Sequence, residues 1–247
     1  MAKHEPIHLR PTAELAERVL LPGDPGRALA LAQVLTEKPL MFNHHRGLWG
    51  YTGMAADGEP LTIQSTGMGG PSAAIVLEEL IALGVRRAIR VGTCGALNGE
   101  LELGDLLVVS EALAADGASR ALGAGERVAA DRELTAALEG AGRELSTGRG
   151  PAERSAAILA ATVASTDLFY EPSARREEDW RAAGAIAVEM EAATMFAIGA
   201  RRGIAVGCVL AVSDLIAAEQ PRTHIDDDAL LIAAETMGQL ALRALAQ

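Results

Sequence analysis

Short apolar runs rich in Val, Ile and Leu alternate along the chain with longer amphipathic stretches. Runs of about four to eight apolar residues between turn signals read as buried strands, and apolar positions at helical spacing read as helices. The pattern predicts strands over Arg18–Leu21, Leu48–Met54, Leu61–Thr66, Ala88–Thr93 and Leu106–Ser110, and again over Ala156–Thr166, Ala185–Val188 and Ala205–Val212. It predicts helices over Gly26–Leu35, Pro71–Leu83, Arg132–Arg143, Ala174–Ala183, Glu191–Arg202 and Asp227–Ala246. Pro71 in a first turn and Gly84 just past a last one are the expected punctuation, and Gly203 closes another helix. Strands alternating with helices argue an α/β fold whose largely parallel sheet is covered on both faces. No internal repeat or low-complexity linker interrupts the pattern. The Gly/Arg-rich stretch Ala141–Arg154 reads as a connection between helix and strand, so residues 1–247 are expected to form one domain.

Composition narrows the class. Of 247 residues 49% are hydrophobic, enough for a large core and against disorder. The net charge of −11 is a poor match for a phosphate backbone, so no nucleic acid is expected as partner. Aromatic residues, at 3%, leave few platforms for stacking single strands. Cys94 and Cys208 lie in apolar runs and are too few for a disulfide scaffold or a four-cysteine zinc site. A reduced, cytoplasmic protein is expected. Met1–Arg10 carries charges and no apolar core segment, so it does not read as a signal peptide. No run approaches the roughly 18 apolar residues of a membrane helix, so no membrane partner is expected. An enzyme or a small-molecule binder fits these limits.

The chemistry gathers at strand ends, where open α/β sheets bind their ligands. Leu21 is followed by Pro22-Gly23-Asp24-Pro25-Gly26-Arg27, and Thr66 by Gly67-Met68-Gly69-Gly70-Pro71-Ser72. Arg90-Val91-Gly92-Thr93-Cys94-Gly95 closes a third strand. Ser165-Thr166-Asp167-Leu168-Phe169-Tyr170, Val188-Glu189-Met190-Glu191 and Val212-Ser213-Asp214 close three more. Arg90 lies in a run that should be buried, and a buried guanidinium needs a partner, either a structural carboxylate or an anion. Arg27, at a helix start after a glycine turn, favours the anion, because helix N-termini and close backbone N–H groups attract one. Two arginines, the turn and the Thr93 hydroxyl suit phosphate.

Glu189 and Glu191 flank Met190. They share a face if the backbone stays extended, or Glu191 turns inward at a strand-to-helix junction. The alternative is a pair of solvated carboxylates. A carboxylate accepts from two hydroxyls at once, which suits a ribose diol. Asp214, at the end of an apolar strand, is a candidate proton donor or else the cap of the next helix. Phe169 offers a flat face for a base or fills the core. Gly67-Met68-Gly69-Gly70 is not GxGxxG, and no GxSxG is present. His44-His45 and His224 with Asp226-Asp227-Asp228 lack metal-ligand spacing, and the Asp run reads as an acidic helix start. No metal is expected.

Taken in order, these motifs, with Arg46-Gly47 between the first two, resemble the nucleoside phosphorylases of the hexameric type, and among them most nearly the bacterial purine nucleoside phosphorylases. Uridine and methylthioadenosine phosphorylases are similar relatives. The resemblance runs from His8 to the terminal helix. It implies a three-layer α/β/α fold around a mixed, partly barrel-like sheet. It implies phosphorolysis of purine nucleosides without a cofactor, inorganic phosphate being a co-substrate. It also implies a homo-oligomer, a hexamer built as a trimer of dimers.

By the same resemblance Gly23, Arg27, Arg90 and Thr93 bind phosphate, with Arg46 reaching in from a neighbouring subunit. Met68, Met190 and Glu191 hold the ribose, with His8 from the neighbour near the 5′ hydroxyl. Cys94, Gly95, Phe169, Val188 and Glu189 line the base site. Ser213 positions Asp214, which protonates the leaving purine at N7, so Asp214 and Arg90 are the catalytic pair. The chain departs from the pattern where relatives carry an arginine that tunes the aspartate: in Leu215–Asp228 only Arg222 is available. Glu171–Asp179 lacks the glutamine and the insertion of uridine phosphorylases, although Asp116-Gly117-Ala118-Ser119 and Ser65-Thr66-Gly67 look like theirs. A water-using nucleosidase on the same fold would lack the phosphate arginines, and a silent nucleoside-binding protein would need no general acid.

Overall fold

The computed structural model describes residues 5–147, 157–171, 173–216 and 223–247. In chain order the elements are β1 (Arg18–Leu21), α1 (Pro25–Leu35), β2 (Thr36–Asn43), β3 (Gly50–Ala55), β4 (Pro60–Gln64), α2 (Gly70–Leu83), β5 (Arg87–Ala96) and β6 (Leu106–Ala115). They continue with α3 (Gly117–Ala121), β7 (Arg127–Ala129), α4 (Arg132–Thr147), β8 (Ile158–Thr166), α5 (Ala174–Ala182), β9 (Ala187–Glu189), α6 (Ala192–Arg202), β10 (Ala205–Leu215), β11 (Thr223–His224) and α7 (Asp227–Leu245). A 3₁₀ turn at His45–Gly47 precedes β3.

Among the described residues the strands join in one sheet, ordered β11-β10-β6-β8-β9-β5-β1-β4-β3-β2, with β7 beside β6. Because β10 also pairs with β5, the strands β5, β10, β6, β8 and β9 close into a ring, and β1 to β4 extend from β5 as a wing. The sheet is mixed. β5 runs parallel to β1 and β10, while β10–β6, β5–β9 and the β3–β4 hairpin are antiparallel. The pattern alone suggested a largely parallel sheet; the mixed, partly barrel-like form is what the resemblance implied.

Alternate residues of the central strands feed two apolar layers. Val19 and Leu21 of β1, with Val206, Cys208, Leu210 and Val212 of β10, pack with α2 and α6. Leu20, Val209 and Ala211 face the opposite way, against α1, α4 and α7. Burial on both faces explains why these strands read as unbroken apolar runs. Four short or polar elements escaped the pattern. β2 carries Glu37, Lys38 and Pro39 and lies at the sheet edge, where proline is tolerated. α3, β7 and β11 hold five, three and two residues, too few for a period to show. Within Ala141–Arg154, α4 continues to Thr147, and the remainder lies outside the described residues. Among the described residues no helix is long and apolar enough to cross a membrane.

Candidate active site

The strand ends named above meet around a cavity of about 400 Å³. Gly23 and Arg27 line it from the β1–α1 turn, Met68 from the β4–α2 turn, and Arg90, Thr93, Cys94 and Gly95 from β5. Phe169 follows β8; Val188, Glu189, Met190 and Glu191 come from the β9–α6 junction, and Ser213 and Asp214 from β10. The two glycine turns touch. The N–H groups of Thr66 and Gly67 donate to the carbonyls of Pro22 and Gly23 at 2.9 and 3.0 Å. Asp24 caps α1 by accepting from the Arg27 N–H at 2.6 Å, which sets the Arg27 side chain at the helix start.

Arg90 answers both readings of a buried guanidinium. Its Nε donates to Glu189 Oε2 at 3.0 Å, and its Nη2 lies 2.5 Å from Glu191 Oε2. All three residues are at most 5% exposed. Burial weakens a guanidinium's hold on its proton, but the facing carboxylates of Glu191 and Glu189 outweigh it and keep Arg90 charged. The arginine folds back over its own strand. A Cβ on Gly92 would fall 2.6 Å from Arg90 Cζ, so only glycine leaves room for it. Arg27 stands near enough that the charge of Arg90 opposes its own. Burial is the larger cause lowering its proton affinity, and Asp24 opposes both. Arg27 and Arg90 thus present two guanidiniums to the cavity, with the carboxylates of Asp24, Glu189 and Glu191 beside them.

The glutamates divide their work. Glu189 accepts from Arg90, from Ser165 Oγ and from the N–H groups of Glu191 and Ala192 at 2.8 and 2.9 Å. It holds Arg90 and the first N–H groups of α6, so its carboxylate is engaged by the protein where it lines the cavity. Glu191 accepts the Gly69 N–H at 2.5 Å in addition to Arg90. Burial pushes its pKa up, against the pull of Arg90, and the charge of Glu189 adds to the push. The junction reading was therefore the apt one: β9 ends at Glu189, and Glu191 sits at the helix cap position, turned inward.

The register of β10 on β5 jumps between Val212↔Cys94 and Asp214↔Gly95, making Ser213 an extra, bulged residue. Neighbours on a regular strand point to opposite faces, whereas a bulge re-aims a side chain, and here both Ser213 and Asp214 line the cavity. Ser213 Oγ donates to Asp214 Oδ2 at 2.6 Å. Gly95 leaves space for Ile216, whose Cδ1 would lie 2.6 Å from a Cβ there. Burial pushes the Cys94 thiol well up, so it stays protonated in the wall. Phe169 is 47% exposed and makes an edge-to-face contact with Tyr170, centroids 5.1 Å apart, so it is a rim residue and not a core one.

His8 and Arg46 do not reach this cavity within one chain. His8 Nδ1 is 2.7 Å from Glu79 Oε1, and Arg46 is exposed on the 3₁₀ turn with φ of 58°. Arg222 lies outside the described residues. Glu171, Glu177 and Trp180 also line the cavity and were not singled out from sequence. His224, set aside with the Asp run, contacts Asp214 Oδ1 through Nδ1. Among the described residues no group of three or more His, Cys, Asp or Glu side chains is placed to hold a metal ion.

Residues 17–246 match the family model described as the phosphorylase superfamily. The chain belongs to the phosphorylase superfamily. A guanosine phosphorylase of Halorubrum lacusprofundi is 35% identical, over 92% of this chain and 90% of its own length. Purine nucleoside phosphorylases of the DeoD type are similar as well. That of Geobacillus kaustophilus is 37% identical over 83% of this chain and 84% of its own, and that of Clostridium novyi 34% over 85% and 87%. In this member of the superfamily, the matched span contains every cavity-lining residue named above.

Proposed function

We propose that the chain catalyses phosphorolysis of purine nucleosides, releasing the free base and ribose 1-phosphate. The observation that carries the reading is the set of charged groups lining one cavity: the guanidiniums of Arg27 and Arg90, Glu191 bonded to Arg90, and the bulge-presented carboxyl of Asp214. That set matches the charges of the reaction. Phosphate rests against Arg27, Arg90, Thr93 and the Gly23 turn. Arg90 has five N–H donors and keeps some beyond those that bind the glutamates. Glu191 anchors the ribose diol between Met68 and Met190, where positive charge develops as the glycosidic bond breaks. The base lies along Cys94, Gly95, Val188 and Phe169. Asp214, positioned by Ser213, gives a proton to N7, a contribution of about 10²–10⁴-fold for a general acid. Holding both reactants in line supplies an orientation advantage. The names of the relatives, guanosine and purine nucleoside phosphorylases, support a purine substrate.

On this reading no cofactor takes part, the enzyme works in the cytoplasm, and it assembles as a hexamer whose dimers share sites. His8 and Arg46 then serve the neighbour's cavity, in keeping with their distance from their own. The deciding experiment is inosine and adenosine cleavage with and without phosphate. Phosphate-dependent release of hypoxanthine and adenine is expected, and equal rates in phosphate-free buffer would overturn phosphorolysis in favour of hydrolysis.

A further inference from the structure

We propose that His224 is a positioning residue for Asp214: it fixes the carboxyl group through Nδ1 and stabilises the carboxylate that remains when the proton passes to the purine. The proposal rests on the phosphorolytic reading above.

Two observations place the histidine. In the antiparallel pairing of β11 with β10, His224 stands directly opposite Asp214, and Thr223 opposite Leu215. Residues directly opposite in such a pair carry their side chains on the same face, close enough to interact. The Ile225 N–H donates to the Ser213 carbonyl at 2.9 Å, tying the strand down on the far side of the bulge. The contact follows from this register: His224 Nδ1 meets Asp214 Oδ1, while Ser213 Oγ donates to Oδ2 at 2.6 Å. Oδ2 thus accepts a hydrogen bond, whereas Oδ1 lies against the imidazole nitrogen without an aligned hydrogen bond in the resting structure.

The neighbouring ionisable groups are engaged elsewhere. Asp226 caps α7 by accepting from the Ala229 N–H at 2.8 Å, and Asp227 and Asp228 occupy the first turn of that helix. Cys94, on the adjoining strand, keeps its proton. Asp214 is 8% exposed, whereas the His224 side chain is 63% exposed, so the imidazole covers the acid from the solvent side.

The chemistry gives this contact a use. As the C1′–N9 bond breaks, its electron pair goes to the purine, a phosphate oxygen bonds to C1′, and the purine takes the Asp214 proton at N7. Asp214 is left as a carboxylate that accepts from Ser213 Oγ–H at Oδ2, with the His224 imidazole standing against Oδ1 to meet the new charge. Groups already in place where charge develops stabilise it as it forms, without having to reorganise. A histidine facing a carboxylate carries its hydrogen on the nitrogen that faces it.

The test compares adenosine with 7-methylinosine, whose base already carries its substituent at N7 and leaves without needing a proton there. His224→Ala is expected to lower kcat for adenosine about 10- to 100-fold, the range for losing a hydrogen bond to a charged group, with the phosphate KM unchanged. Its rate on 7-methylinosine should stay near that of the unaltered enzyme. Added imidazole, or His224→Asn, whose amide N–H can stand in for Nδ1, should recover part of the loss. If His224→Ala melts early, His224→Leu, of similar bulk but without a donor, replaces it in the comparison. Equal losses on both substrates, or no loss on adenosine, would overturn the proposal. If the unaltered enzyme itself shows no phosphate-dependent cleavage, the phosphorolytic reading has failed instead.

Discussion

Arg90 carries two duties at once, and they pull mutational tests apart. Its guanidinium neutralises two buried glutamates and also faces the phosphate end of the cavity. Arg90→Ala would strand Glu189 and Glu191 without a counter-charge, and breaking a buried pair costs about 3–5 kcal/mol. The variant is therefore expected to melt well below the parent and to lose activity for two reasons. Arg27→Ala separates them. Arg27 is only half-buried on the first turn of α1, so its removal should raise the phosphate KM at least about tenfold with little change in melting temperature. A phosphate KM equal to the parent's in steady-state kinetics would remove Arg27 from the site. The sequence made the arginines legible because charge inside an apolar run demands an explanation. It hid the engagement of Glu189, because a carboxylate's partners come from elements far apart in the chain, here Ser165 and Arg90.

One side chain ties two parts of the wing of the sheet together. Arg18, on β1, grips Asp57 in the β3–β4 turn with both nitrogens, at 2.5 and 2.6 Å, and donates to the Glu59 and Pro60 carbonyls at 2.8 and 2.9 Å. The Arg18 hydrogen bonds hold Asp57 below its usual pKa. A depressed carboxylate stabilises the fold fully above its unfolded pKa, and that stability is lost as pH falls through the lower folded value. Asp57→Asn should therefore lower the melting temperature at neutral pH and narrow its gap to the parent as the pH drops below about 4. Denaturation followed across that range checks it, and a gap independent of pH would show that the ionisation of Asp57 contributes nothing. Elements with a strong period, such as α2 and β10, were readable to within a few residues. β2 and β11 were not, because their placement is decided by pairing partners and not by their own composition. With β11 hidden, the partner of Asp214 was hidden too.

At the scale of the whole molecule, the proposed sharing of sites makes a quantitative prediction. Arg46→Ala would damage the partner's site and Glu191→Ala the chain's own. In a mixed pair one site then holds both lesions and the other none. Random exchange makes about half the pairs mixed, so about a quarter of all sites regain full activity by two-fold symmetry. Co-refolded variants with proven exchange should exceed the average of the two parents by that margin, after subtraction of residual activity. An activity equal to the average would confine Arg46 to its own chain. The ring of strands carries a different consequence, one of time. Its closing seam joins β5, at Arg87–Ala96, to β10, at Ala205–Leu215, across nearly half the chain. Pairings so distant in sequence form slowly, because the intervening loop must lose its freedom before any contact rewards it. A chain emerging from the ribosome can assemble the wing early, but until β10 arrives the ring stays open, with β5 and β6 still lacking the neighbour that joins them. The residues that would hold phosphate are therefore synthesised long before the cavity that gives them a purpose, and the last quarter of translation sets when this protein becomes able to act.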